Sequence, residues 1–201
     1  MHKIAAFIEF DKKITNKILA QKKIVKKKFG NQTYLNHPVH LTLFTLNIKK
    51  ITELKKIYFS DINHSKRKYN IYLTKTGIFY NDPLTGGHTF FYKIKKSKSL
   101  ANLQLKHLDK INKKITVLKK KNNLLKLAVL KKNYKKYGFP FVGKIWIPHT
   151  TIASIKNIDT KNEFLTKFLK SKIKLKCQYE EIKFYKIINN KHKFLFSIKN
   201  I

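Results

Sequence analysis

Two short stretches combine a group that can move protons with a group that can hold phosphate. One is His40-Leu41-Thr42-Leu43, the other His149-Thr150-Thr151-Ile152. Histidine has an ordinary pKa of about 6.5, so near neutrality one imidazole can take a proton while another gives one back. A threonine hydroxyl can donate a hydrogen bond to a non-bridging phosphate oxygen, where negative charge gathers as a phosphodiester is attacked. Two such pairs on a common surface suit the opening of a phosphodiester. A neutral histidine would activate water, and a protonated one would supply the departing ribose oxygen. His40 and His149 are the candidate catalytic residues, with Thr42 and Thr151 as phosphate binders. The scheme needs neither a metal nor a cofactor. One match is weak evidence in a chain with eight histidines; a second match in the opposite half gives the signal its weight.

The spacing makes sense on a strand, where residues i and i+2 point to the same face. His40 projects with Thr42, and His149 with Thr151, while Leu41 and Leu43 point into a core. By the same parity Phe44 joins the His40 face and becomes a candidate for stacking on a base, set against ordinary core packing. Tyr34 and Phe141, with Tyr137 and Phe139, precede the motifs and are candidates for a substrate-holding rim. Trp146, on the opposite parity to His149, is expected in the core. His37 reads as structural, His88 opens a hairpin strand, and His2, His64, His107 and His192 have no companion pattern. Cys177 reads as a small buried residue.

The elements that must position these groups follow from periodicity. Lys3 to Phe10 reads as a strand. From Asp11 to Phe29 the apolar residues Ile14, Ile18, Leu19, Ile24, Val25 and Phe29 have helical spacing with a lysine-rich outer face, ended by Gly30-Asn31. Val39 to Leu46 is a strand, and Ile51 to Tyr58 a short helix. Tyr69 to Thr74 and Gly77 to Tyr80 read as two strands. Asn81 to Gly87 is a turn returning into a strand from His88 to Ile94. Ser99 to about Lys132 is a long helical stretch, with Leu100, Leu103, Leu108, Ile111, Ile115 and Leu118 on its buried stripe and a candidate break at Asn122-Asn123. A strand from Lys144 to Ile155 follows, then a helix from Thr160 to Ser171 capped by Asp159 or Thr160. Ile173 to Cys177, Glu181 to Ile187 and Lys193 to Ile198 are closing strands. Strand, helix and a His-x-Thr strand recur in each half, and the class is α+β.

Composition sets the partners. Lys and Arg total 46 against 10 Asp and Glu, a formal charge of +36. Such a field draws in polyanions, RNA and nucleotides among them. The cations are nearly all lysine, with Arg67 the single arginine, and they spread along the chain in runs such as Lys119-Lys120-Lys121. That distribution weighs toward solvated faces in a lysine-rich composition over a dedicated basic tail. With one cysteine, no disulfide can form within the chain and no cysteine-based metal site exists. There is no apolar run of membrane-spanning length. A cytoplasmic monomer with no membrane partner is expected.

The two motifs in context resemble the two-histidine phosphoesterase superfamily. Asn36-His37-Pro38-Val39-His40-Leu41-Thr42-Leu43-Phe44 is similar to its first motif, and Gly143-Lys144-Ile145-Trp146-Ile147-Pro148-His149-Thr150-Thr151-Ile152-Ala153 to its second. The resemblance implies a single bilobed domain over residues 1–201, with two pseudo-symmetric lobes of antiparallel sheet around a central cleft. It further implies His40 and His149 as acid and base, Thr42 and Thr151 on the phosphate, and cleavage of 2′,3′-cyclic phosphates or 2′-5′ linkages of RNA or oligonucleotides. Many bacterial members carry a basic residue soon after the second motif; here Ser154 stands there, which leaves the subfamily open. A hydrolase of small cyclic nucleotide signals would use the same motifs. A non-catalytic basic RNA-binding module is the reading from another class.

Overall fold

A computed structural model of the chain describes residues 1–59, 69–119 and 127–199. The first half opens with β1 (His2–Glu9), α1 (Lys12–Phe29), β2 (His40–Ile48) and α2 (Ile51–Phe59). Then come β3 (Tyr69–Asp82), β4 (Gly87–Ile94), α3 (Lys98–Lys114), α4 (Ala128–Tyr137) and β5 (His149–Ile155). The chain closes with α5 (Glu163–Lys170), β6 (Leu175–Tyr179), β7 (Glu181–Ile188) and β8 (Lys191–Lys199). The strands form two antiparallel four-stranded sheets, ordered β2-β1-β7-β8 and β5-β4-β3-β6. The fold is α+β, as the alternation of periods implies.

Both motif strands are sheet edges, and they lie against each other. The helices make that contact possible by crossing over. Helix α1, between β1 and β2, packs on β5 of the other sheet; α3, after β4, packs on β2. Each starts from a side-chain cap that satisfies an otherwise orphaned N–H. Asp11 accepts from Ile14 N at 2.8 Å, and Ser97 accepts from Leu100 N at 3.2 Å. The inward stripe of α1 is Ile14, Ile18, Lys22 and Val25, at helical spacing. Leu41 and Leu43 of β2 join Ile152 and Ala153 of β5 in one apolar core, so the core that holds the sheets also holds the backs of both motifs.

Several elements differ from the sequence expectation. Leu19 and Ile24 of α1 are exposed. Tyr69 to Asp82 is one strand, because Gly77 lies under the Phe91 ring without breaking the pairing; a Cβ there would sit 2.5 Å from that ring. Helix α3 ends at Lys114, not near Lys132. Val117 then pairs with Ile48, and Leu118 N donates to Asn47 O at 2.7 Å, which adds backbone bonds to the edge of β2. Residues 144–148 are not a strand: Gly143–Ile145 forms a 3₁₀ turn, and β5 begins at His149, after Pro148. Helix α5 starts later than expected, with Asn162 accepting from Phe164 N at 2.9 Å. Asn122-Asn123 and His64 lie outside the described residues. No helix among the described residues is long and apolar enough to cross a membrane.

Candidate active site

The two motif strands are built alike, down to one irregularity. Along β1–β2, Glu9 faces His40, Ile8 faces Leu41 and Phe7 faces Thr42; the next pair is Ala6 with Phe44, so Leu43 is an inserted residue. Along β4–β5, Lys93 faces His149, Tyr92 faces Thr150 and Phe91 faces Thr151; the next pair is Phe90 with Ala153, so Ile152 is inserted. A β-bulge after each threonine ends the strict alternation and bends the strand away. His40 with Thr42, and His149 with Thr151, stay on shared, half-buried faces.

The bulge also corrects one expectation. Phe44 does not follow the parity of His40 and Thr42. It turns into the core, with 0% exposure and its ring 6.3 Å from that of Phe184. It is no base-stacking residue, because the inserted Leu43 reverses the face of everything after it.

Both imidazoles are held by the same bond. His40 Nδ1 lies 2.8 Å from Pro38 O, and His149 Nδ1 lies 2.7 Å from Ile147 O, each two residues earlier. A carbonyl can only accept, so Nδ1 carries the hydrogen in both rings and Nε2 is the nitrogen left for chemistry. Each ring also rests on a phenylalanine of the neighbouring strand. Phe7 stacks on His40 with centroids 3.7 Å apart and planes at 21°. Phe91 lies 5.0 Å from His149, and Phe79 meets it edge-on at 5.2 Å.

The segments leading into the motifs are fixed by a second repeated device. Lys22, only 4% exposed on α1, donates to Tyr34 O at 2.8 Å and His37 O at 2.7 Å. Lys96 donates to Lys144 O at 2.7 Å and Trp146 O at 3.0 Å. In each half an ammonium binds the carbonyl three residues before the histidine. The segments also reach across the molecule. Ser154 N of β5 donates to Thr33 O at 2.8 Å. Gln104, fully buried on α3, donates to Leu43 O at 2.8 Å and to Phe141 O at 3.0 Å. One amide thereby ties the bulge of the first motif to the segment preceding the second.

Electrostatics separates the halves. Burial, then the neighbouring His192, drive His40 down to about 3, with Lys22 and His37 adding to the effect and the Pro38 carbonyl opposing it. His192 itself is pushed down to about 4, first by burial and then by His37 and Lys3. Burial also lowers His149, but there the Ile147 carbonyl and the Asp82 carboxylate pull the other way. Lys22 is pushed down to about 8 by burial.

Of the remaining expected residues, Tyr34 lies beside the first motif with its ring edge-on to His37 at 5.1 Å, in a left-handed conformation with φ 73°. Burial and Asp82 raise its hydroxyl pKa. Phe141 is 43% exposed, and its ring meets Phe139 at 5.8 Å. Trp146 is buried. His37 and His192, which carry no pairing signal in the sequence, meet edge-on at 5.0 Å, and His192 meets His40 at 5.6 Å. Sequence reading misses Phe7, Phe91, Lys22, Gln104, Asp82 and His192. The phenylalanines could be found by aligning the two strand–helix–strand halves; the others carry no local signal. Among the described residues, no group of three or more His, Cys, Asp or Glu side chains could hold a metal ion.

No protein-family model and no curated sequence matches the chain. Solved structures do. TT0787 of Thermus thermophilus superposes with a TM-score of 0.65 at 15% identity, covering 98% of this chain and 97% of that one. A crystallised phosphoesterase gives 0.60 at 10% identity, covering 99% and 98%. Escherichia coli LigT complexed with NADP+ gives 0.59 at 11% identity, also covering 99% and 98%. The chain shares the fold of these phosphoesterase and LigT structures. The match covers the chain from end to end, both sheets and the edge strands that carry His40 and His149 included.

Proposed function

We propose that the protein is a metal-independent phosphodiesterase that cleaves 2′,3′-cyclic phosphate or 2′-5′ phosphodiester bonds of RNA or oligonucleotides. The observation that carries this reading is the duplicated histidine setting: two imidazoles on adjacent edge strands, each with Nδ1 bound to a carbonyl and Nε2 left as the reactive nitrogen. Thr42 and Thr151 hold the non-bridging oxygens. His40, held neutral by burial and by its imidazole and ammonium neighbours, takes the proton from the nucleophile. His149, whose imidazolium the Asp82 carboxylate favours, is the better suited to be protonated and gives its proton to the departing sugar oxygen. LigT, a neighbour in fold, has been crystallised with 3′-AMP, ATP and phosphate, which agrees with a nucleotide-sized phosphoester ligand.

The test is hydrolysis of nucleoside 2′,3′-cyclic phosphates and of 2′-5′-linked oligoadenylate in the presence of EDTA, by the wild type and by His40→Ala and His149→Ala. Loss of about 10²- to 10⁴-fold in each variant is expected. Activity abolished by EDTA would remove the metal-independent mechanism. Activity confined to cyclic oligonucleotides would move the substrate class. RNA binding without turnover, unaltered in both variants, would mean a binding module.

A further inference from the structure

The first sheet carries a row of rings on the face that bears His40, and among the described residues the second sheet has no counterpart to its outer part. In register, Phe7 of β1 pairs with Thr42, Ala5 pairs with Tyr185 of β7, and Tyr185 pairs with Phe194 of β8; Ile187 pairs with His192. Ring contacts follow that order. Phe7 lies 5.3 Å from Tyr185 and 5.1 Å from His192, and Tyr185 lies 5.7 Å from Phe194. Phe194 is 53% exposed, while Tyr185 and His192 are half-buried. Tyr185 is held in place, its hydroxyl donating to the Glu9 carboxylate, which also pairs with Lys183 at 2.8 Å. From β2 to β8 is three strand spacings, about 14 Å, the span of a nucleoside and its phosphate.

The second sheet starts the same pattern and stops. Phe91 corresponds to Phe7, and Phe79, stacked on it at 4.3 Å, corresponds to Tyr185. Beyond Phe79 there is no strand among the described residues, because β6 pairs only with Tyr69–Leu73 of β3. Strand β8, in contrast, runs the length of β7 and brings His192 and Phe194 beside the site.

We propose that Tyr185, His192 and Phe194 form a stacking platform for one nucleobase of an oligonucleotide substrate, on the first-sheet side of the scissile phosphate. This rests on the phosphodiesterase reading for the position of that phosphate. Flat rings favour a base over an aliphatic group, since every base offers a π-face. The platform is continuous with the site, because Phe7 touches both His40 and His192. Its charge suits a polyanion: Lys3 acts on His192, and Lys183 stands in register with Phe7. A platform on one side only orients the substrate, so the sugar oxygen nearest the stacked base is served by His40 and the opposite oxygen by His149.

The experiment measures binding of 2′-5′-linked diadenylate, and of its two analogues lacking one base, to the full chain carrying His149→Ala so that the ligand survives. Phe194→Ala and His192→Ala are added singly. Removal of one particular base should weaken binding by about tenfold, and Phe194→Ala should weaken the intact dinucleotide by a similar factor. The two losses should not add, so Phe194→Ala should leave the corresponding abasic analogue unaffected. Dinucleotide binding that neither variant alters would overturn the platform, including in favour of a protein partner on that face, while hydrolysis by the wild type would still uphold the phosphodiesterase reading. Equal weakening of the intact and both abasic ligands would overturn base stacking. A parent protein that binds none of the three would overturn it as well.

Discussion

Around His40 the neighbouring groups are two further imidazoles and the buried Lys22 ammonium, whereas around His149 the neighbouring charge is the Asp82 carboxylate. The backbone plan beneath them is the same: a bulge after the threonine, a phenylalanine under the ring, a carbonyl on Nδ1 and a lysine on the carbonyl three residues upstream. The shared plan sets geometry, burial lowers both imidazoles, and the neighbouring side chains push them in opposite directions. A duplicated scaffold can thus set two like residues in unlike electrostatic surroundings, which the proposed acid–base division of labour would use.

The strongest way to break the comparison is to ask whether the two halves act as one unit. If they do, the double variant His40→Ala/His149→Ala should fall no further than the more damaged single variant, each about 10²- to 10⁴-fold below wild type. Single-turnover hydrolysis of a 2′,3′-cyclic nucleotide measures this. A double variant as slow as the product of the two losses would mean independent contributions and would dissolve the pairing.

The lysines sharpen the comparison through stability. Lys22 is buried and holds two carbonyls, whereas Lys96 is exposed. Lys22→Met should cost about 2 kcal/mol, since two buried acceptors lose their donor. Lys96→Met should cost about 0.5 kcal/mol or less, because solvent can take over its bonds. Urea unfolding midpoints at constant m-value separate the two. Equal costs would show that the burial of Lys22 is irrelevant to how the first motif is held.

What is legible in the sequence is what has a period. Strands and the shared faces of His40 with Thr42 and His149 with Thr151 are readable, because alternation is a two-residue signal. The bulge at Leu43 is not, since any residue can be the inserted one, and so parity alone puts Phe44 on the wrong face. Helix α3 reads too long because Ile115 and Leu118 continue its apolar spacing after the backbone has turned to pair with β2. Lys22 looks like any other lysine on a basic helix, although it shares the buried stripe of Ile14, Ile18 and Val25. His192 stands 152 positions from His40 and reaches it only through the sheet order β2-β1-β7-β8, which no local pattern announces.

The finest distinction is in the pH dependence, where the two halves should respond with opposite sign. A base must be neutral and an acid charged, so under the proposed roles the limb on which activity falls with falling pH belongs to His40 and the limb on which it falls with rising pH to His149. Replacing Asp82 by Asn removes the carboxylate that favours the His149 imidazolium, and the alkaline limb should move to lower pH. Replacing His192 by Gln removes a positive neighbour of His40 in the acid range, and the acidic limb should move to higher pH. The same sign applies to folding. An unfolded histidine titrates near 6.5 and folded His40 near 3, so between those values the unfolded chain binds more protons and stability falls as the pH falls. A kcat/KM profile for each variant from about pH 2 to 9 reads both limbs. If Asp82→Asn moves the acidic limb instead, His149 is the base and the roles assigned to the two halves must be exchanged.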